Sequence, residues 1–229
     1  MKYFVAATFM ACVLVLRLAG PAFPQSSQEY VRNFFAHSQE GTEHEAAVHF
    51  LEKAPPSVGI STMLIEECAR TNADKYSFLW LLQRHGGVDA VSYLEEVLEE
   101  GRTLHAEDPQ KFRATTDNWA AIPMTAYVLY SLGEREYIEV VYEFLTAPDK
   151  MDRCAASSVL KNIDTPRSRR ALKDVIENDP MELPIVYATE SLAALDGERA
   201  TAAYLQHIIN EGKMNEDFVE HYFPELKQE

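Results

Sequence analysis

Four segments of this 229-residue chain share one short pattern. Leu94-Glu95-Glu96-Val97-Leu98, Val141-Tyr142-Glu143-Phe144-Leu145, Leu172-Lys173-Asp174-Val175-Ile176 and Leu205-Gln206-His207-Ile208-Ile209 each place apolar side chains at i, i+3 and i+4. On a helix that spacing makes one buried stripe, and the second and third slots between point outward. Ala47-Val48-His49-Phe50-Leu51 follows the pattern imperfectly, with Val48 in the second slot. Ala47, Leu94 and Val141 recur at intervals of 47 residues, then Leu172 and Leu205 at 31 and 33. A two-faced helix repeated along a chain can bury its stripe only by stacking on its neighbours.

Each stripe is preceded by a break and another apolar helix. Gly86-Gly87, Gly133, Asp164 and Asp196 mark the breaks in "YSFLWLLQRHGGVDAVSYLEEVL" (76–98), "TAYVLYSLGEREYIEVVYEFL" (125–145), "VLKNIDTPRSRRALKDVIEN" (159–178) and "SLAALDGERATAAYLQHIIN" (191–210). Small residues at Ala155, Ala156 and Ser157, and at Ala188, Thr189 and Ser191, allow helices to approach closely. Only 9 glycines and 11 prolines argue against a turn-rich β protein. The expected organisation is a first hairpin over 26–55, a second over 56–117, a third over 118–150, a fourth over 151–179 and a fifth over 180–211. A polar cap follows over 212–229. The second hairpin carries an inserted helix ("SVGISTMLIEECART", 57–71) and a polar, partly helical connection ("RTLHAEDPQKFRATTD", 102–117).

These pairs resemble HEAT-like repeats, the armadillo-type fold that includes the PBS-lyase HEAT-like repeat. "RCAASSVLKNIDTPRSRRAL" and "VYATESLAALDGERATAAYL", within 151–210, carry most of the resemblance. It is weaker toward the N-terminus, where the spacing is unequal, and Gly133 stands where the turn Asp belongs. The resemblance implies an all-α fold, a right-handed α-α superhelix of about five helical hairpins whose second helices line the concave surface.

The N-terminus reads differently. Lys2 precedes a 14-residue apolar run, Tyr3 to Leu16, which Arg17 and "LAGPAFPQSSQ" end. The run is shorter than the roughly 20 residues that span a bilayer. Gly20 and Ala22 suit the −3 and −1 positions of a secretory cleavage site, so residues 1–22 are expected to be a signal peptide. Phe9 in "FMAC" argues against lipidation at Cys12. Cleavage removes Lys2, Arg17 and no acid, so the net charge moves from −15 to −17. That balance disfavours nucleic acid and anionic membranes and admits a basic protein partner. The protein is expected to be exported, periplasmic or secreted, without stable membrane insertion.

"EHEAAVH" (43–49) invites a zinc reading. A zincin needs histidines four apart, nearly superimposed on a helix face. His44 and His49 are five apart, about 500° of rotation, which leaves them about 140° from one another. Both read as surface histidines, and only a ligand set completed from another hairpin would involve His49 with a metal. No metal or cofactor is expected. Cys68 and Cys154 lie two hairpins apart, roughly 20 Å at one helix diameter per step, against the roughly 7 Å that a disulfide spans. They are expected to be free, buried thiols. No nucleophile elbow or phosphate loop is present. Glu95-Glu96 and Glu99-Glu100 read as solvated faces.

The outward slots remain. His49, Glu95, Glu96, Tyr142, Glu143, Lys173, Asp174, Gln206 and His207 form a mostly acidic ladder, the expected partner-binding face. Tyr142 is the aromatic most expected at a partner. Arg167, Arg169, Arg170 and Lys173 make the one dense basic patch, paired with acids of neighbouring hairpins or anchoring an acidic partner. Trp80, in "FLWLLQ", is expected in the core. Trp119 opens the next helix part-exposed, with Pro123 in its first turn or at a kink. The expected function is an exported, non-catalytic protein-interaction scaffold with an acidic concave face. The alternatives are an accessory subunit, chaperone or lyase-like enzyme of an envelope system, or a carboxylate-based hydrolase. Export argues against bilin, the substrate of the lyases within the resembled group. Mass spectrometry of the exported protein is expected to find Phe23 at its N-terminus; an intact Met1 would overturn the signal-peptide reading.

Overall fold

The computed structural model describes residues 27–36, 42–116 and 119–224, and the expected signal peptide lies outside them. The described chain is all-helical, with thirteen α-helices, one 3-10 turn and no strand. The helices are α1 (Ser27–Ala36), α2 (Thr42–Lys53), α3 (Val58–Thr71), α4 (Leu79–His85), α5 (Val88–Glu107), α6 (Pro109–Thr115) and α7 (Ala121–Leu132). After a 3-10 turn at Arg135–Tyr137 come α8 (Ile138–Phe144), α9 (Lys150–Leu160), α10 (Pro166–Asn178), α11 (Glu182–Asp196), α12 (Glu198–Asn210) and α13 (Glu216–Tyr222). Five hairpins understate this count. The surplus is α3, α6 and α13; the stretch read as a polar connection at 102–117 is mostly the end of α5 and all of α6.

Local chemistry explains the boundaries. Asp108 caps α6 by accepting from the Gln110 and Lys111 N–H groups, with Pro109 at the first helical position. Thr165 caps α10 by accepting from the Ser168 N–H ahead of Pro166, and Asp149 caps α9 through the Met151 N–H. Between α4 and α5, Gly87 holds φ 101° and ψ 164°, a region essentially closed to other residues. A Cβ there would also lie 2.9 Å from a Val58 methyl.

The repeated stripe is the core. Ala47 and Leu51, Leu94, Val97 and Leu98, Val141 and Leu145, Leu172, Val175 and Ile176, and Leu205 and Ile208 are all buried. Phe50, Phe144 and Ile209 are half-buried against them. Packing follows the chain: α1 meets α2 and α3, α3 meets α5, α4 and α5 meet α7, α7 meets α8 and α9, α9 and α10 meet α11, and α11 meets α12. No principal partner is more than three helices away. Buried Ala155, Ala156 and Ser157 on α9 and Ala188, Thr189 and Ser191 on α11 give these two helices a close contact.

Two polar clusters, neither expected from the stripe, hold α9 in place. The Arg153 guanidinium donates to both Asp179 oxygens (2.6 and 3.0 Å) and to the Ala147 and Pro148 carbonyls (2.9 and 3.0 Å). One side chain thus ties the loop before α9 to the loop before α11. The Arg153 and Asp179 side chains are only 10% and 4% exposed. At the first turn of α9, Asp152 accepts from Arg113 of α6 (2.9 Å) and meets His105 of α5 (3.0 Å), and Arg113 also donates to Asp149 (2.6 Å). The insertion is therefore fastened onto α9.

A guanidinium that leaves a buried carboxylate unpaired costs far more than removing both charges together. Arg153→Met is expected to lower stability by about 3–5 kcal/mol in urea denaturation, and Arg153→Met with Asp179→Asn to recover most of that loss. Equal losses in the two variants would show that Arg153 acts through packing alone.

Candidate interaction surface

The second helices are joined side by side through long side chains. Tyr137, just before α8, donates to Glu95 of α5 (2.9 Å), and Arg102 of α5 pairs with Glu143 of α8 (3.3 Å). Between α8 and α10, Arg167 pairs with Glu139 and stacks 3.8 Å from the Tyr142 ring centroid, while the Tyr142 hydroxyl meets Ser168 (3.2 Å). Between α10 and α12, Tyr204 donates to Glu177 (2.8 Å), and the Lys173 ammonium lies 4.7 Å over the Tyr204 ring. Lys213 pairs with Glu177 (2.9 Å). Burial and Glu177 raise the Tyr204 pKa, whereas Lys213 and Tyr204 hold Glu177 below the usual carboxylate range.

The ladder residues divide along this row. Glu95, Glu96, Glu143, Asp174, Gln206 and His207 are exposed on α5, α8, α10 and α12. Several are engaged with the chain itself: Asp174 accepts from Asn178, Gln206 donates to Asn210, and His207 lies 3.2 Å from Glu211. Tyr142 is not outward. It is half-buried under Arg167 and packs on the core, because the ring spans the gap to α10. Lys173 is likewise half-buried, drawn down onto Tyr204. His49 is exposed on α2, but the helix beside α5 is α3, so the insertion separates His49 from the rest of the row. The cross-links there are Thr62 to Asp89 (2.9 Å) and the Cys68 thiol near the Tyr93 hydroxyl (3.7 Å).

The basic patch is largely spent. Arg167 is taken by Glu139, and Arg169 by Asp164 (2.5 Å) and Asp196. Arg170 is exposed and makes no ion pair among the described residues. The exposed Arg167–Glu139 pair contributes little stability, but all of these pairs cancel the field that an acidic partner would sense.

Other expectations also shift. Trp80 is 37% exposed, since α4 buries Leu79, Leu81 and Leu82 on its other sides. His44 is half-buried, stacked on Phe34 with Nδ1 3.1 Å from the Phe34 carbonyl, so it is not a surface histidine. Cys68 and Cys154 are buried free thiols. Burial pushes Cys154 up to about 11, which keeps it protonated and poorly nucleophilic at neutral pH. Among the described residues no group of three or more His, Cys, Asp and Glu side chains could hold a metal ion, and no helix is long and apolar enough to cross a membrane. No family model, curated protein or solved structure matches the chain.

One buried histidine fell outside the pattern altogether. His85, 4% exposed at the end of α4, bonds the Leu51 carbonyl (3.0 Å) through Nε2, and Arg84 donates to the Ala54 carbonyl (2.8 Å). Together they satisfy carbonyls at the C-terminal end of α2 that the helix itself leaves open. Nδ1 is buried with no partner among the described residues. Burial, with Arg84 adding to it, lowers the His85 pKa against the opposing pull of the Leu51 bond. The unfolded chain therefore takes up this proton more readily than the folded one. The stability at stake is intact above the ordinary histidine range and is lost as pH falls through it. His85→Gln is expected to flatten the decline in stability between pH 7 and the folded pKa, measured by urea denaturation across pH. An unchanged slope would assign the decline to other groups.

Proposed function

We propose that this protein is an exported, non-catalytic scaffold that binds protein partners along a HEAT-like stack of helical hairpins. The observation that carries this reading is the bridging of α5 to α8 to α10 to α12 by side chains. Bridging turns separate helices into one continuous surface, on which exposed Glu95, Glu96, Glu143 and Asp174 recur. A surface of that kind recognises by shape and charge over a long span. The right-handed superhelix, with these second helices on its concave side, is part of the same proposal. So is the exported location, which rests on the apolar run behind Lys2.

The acidic row commits the scaffold to a basic partner. Substituting Glu96, Glu143 and Asp174 together by Lys is expected to abolish crosslinking of partners in the exported fraction, with helix content unchanged by circular dichroism. Partners retained at full yield would remove the acidic row from the binding surface.

A further inference from the structure

Exposed large apolar side chains gather on the opposite row, at the start of α11. Trp119 (39% exposed), just before α7, meets the Tyr187 ring of α11 at 5.2 Å between centroids. Leu183, 36% exposed, lies one turn before Tyr187 on the same helix face, and Met181 (42%) precedes the helix. Scattered exposed apolar residues are ordinary, but contiguous ones mark interaction sites. A tryptophan against a tyrosine is the composition of an interface anchor, and the adjoining leucine extends its apolar area.

Charge selects the occupant. Glu190 is exposed on the face that carries Leu183 and Tyr187, and exposed Glu182 adjoins Leu183 and accepts from the Tyr222 hydroxyl (3.1 Å). A second copy related by a two-fold axis would set these acids against themselves, on a chain whose net charge is −15. A partner segment with apolar side chains flanked by cations meets both features.

We propose that Trp119, Leu183 and Tyr187 form the anchor of a docking surface for a segment of another protein carrying Leu-, Ile- or Phe-type side chains between Lys or Arg. The inference builds on the scaffold reading and places a second contact on the row of first helices. The probe is a synthetic amphipathic leucine–lysine helix of about 14 residues, long enough to cover the patch at 1.5 Å per residue. It is titrated into full-length protein carrying Trp80→Phe, so that emission reports Trp119 alone. The leucine–lysine helix is expected to blue-shift Trp119, more weakly as salt is raised. Leu183→Ser should weaken binding about tenfold, the scale of an anchor residue. Glu182→Gln with Glu190→Gln should flatten the salt dependence. Leu183 is exposed, so its variant keeps the fold, which a thermal melt checks. Any of three results overturns the proposal: no shift, equal binding of a leucine–glutamate helix, or equal binding by Leu183→Ser. Concentration-dependent dimerisation abolished by Leu183→Ser would also overturn it, by assigning the patch to a second copy. If crosslinked partners persist in the exported fraction of Leu183→Ser at wild-type yield, this surface falls while the scaffold reading stands. Failure of the unmodified protein to crosslink any partner in that fraction would instead sink the scaffold reading.

Discussion

No helix in this chain can bury its apolar stripe alone, and that constraint governs everything else. Leu94, Val97 and Leu98 on α5, or Leu172, Val175 and Ile176 on α10, are covered only because neighbouring helices lie across them. The buried stripes join into one continuous apolar cluster that runs from Tyr30 to Phe223, built from contacts between helices near in sequence. The joints between helices carry the burden, and they differ by row. Between α9 and α11 the joint is steric, small residues letting backbones come close. Between α8, α10 and α12 it is built from tyrosine rings, guanidinium groups and carboxylates that span a wider gap.

The polar groups at these joints have structural work that limits their use elsewhere. Arg153 and Asp179 are consumed in fixing two loops, and Arg113, His105 and Asp152 in seating the insertion on α9. Arg167 and Arg169 are neutralised by neighbouring acids. What stays exposed on the second-helix row is mostly acidic: Glu95, Glu96, Glu143 and Asp174 beside Gln206 and His207, with Glu143 already paired to Arg102. What stays available on the first-helix row is aromatic and apolar, around Trp119 and Tyr187. Under the proposed scaffold reading, the first surface would select by charge and the second by apolar anchors.

Much of the architecture was legible because periodicity reports burial directly. Most of the stripe residues named from spacing are buried, with Phe144 and Ile209 half-buried; the breaks read at Gly86-Gly87, Gly133 and Asp164 separate helices, and the one read at Asp196 falls one residue later, at Gly197. The site was less legible. Outward slots are defined relative to one helix, whereas Tyr142 and Lys173 answer to the next helix along, which covers them. Trp80 sits in an apolar run yet faces out, since a seven-residue helix with three buried leucines already fills its core side. Arg153 carried a usable signal: a cation at the head of "CAASSVL", a run of small and apolar residues on a buried helix, has to find an acid.

The sequence by itself determined helix, stripe, break and charge, because each depends on residues within one or two turns of each other. Only the tertiary structure decided which helix lies beside which. α3 rather than α2 lies beside α5, which removes His49 from the ladder, and Trp119 meets Tyr187, 68 positions further along the chain. Such meetings depend on how far each helix must slide to cover its neighbour's stripe. That is a property of packed volumes, and no short stretch of sequence contains it.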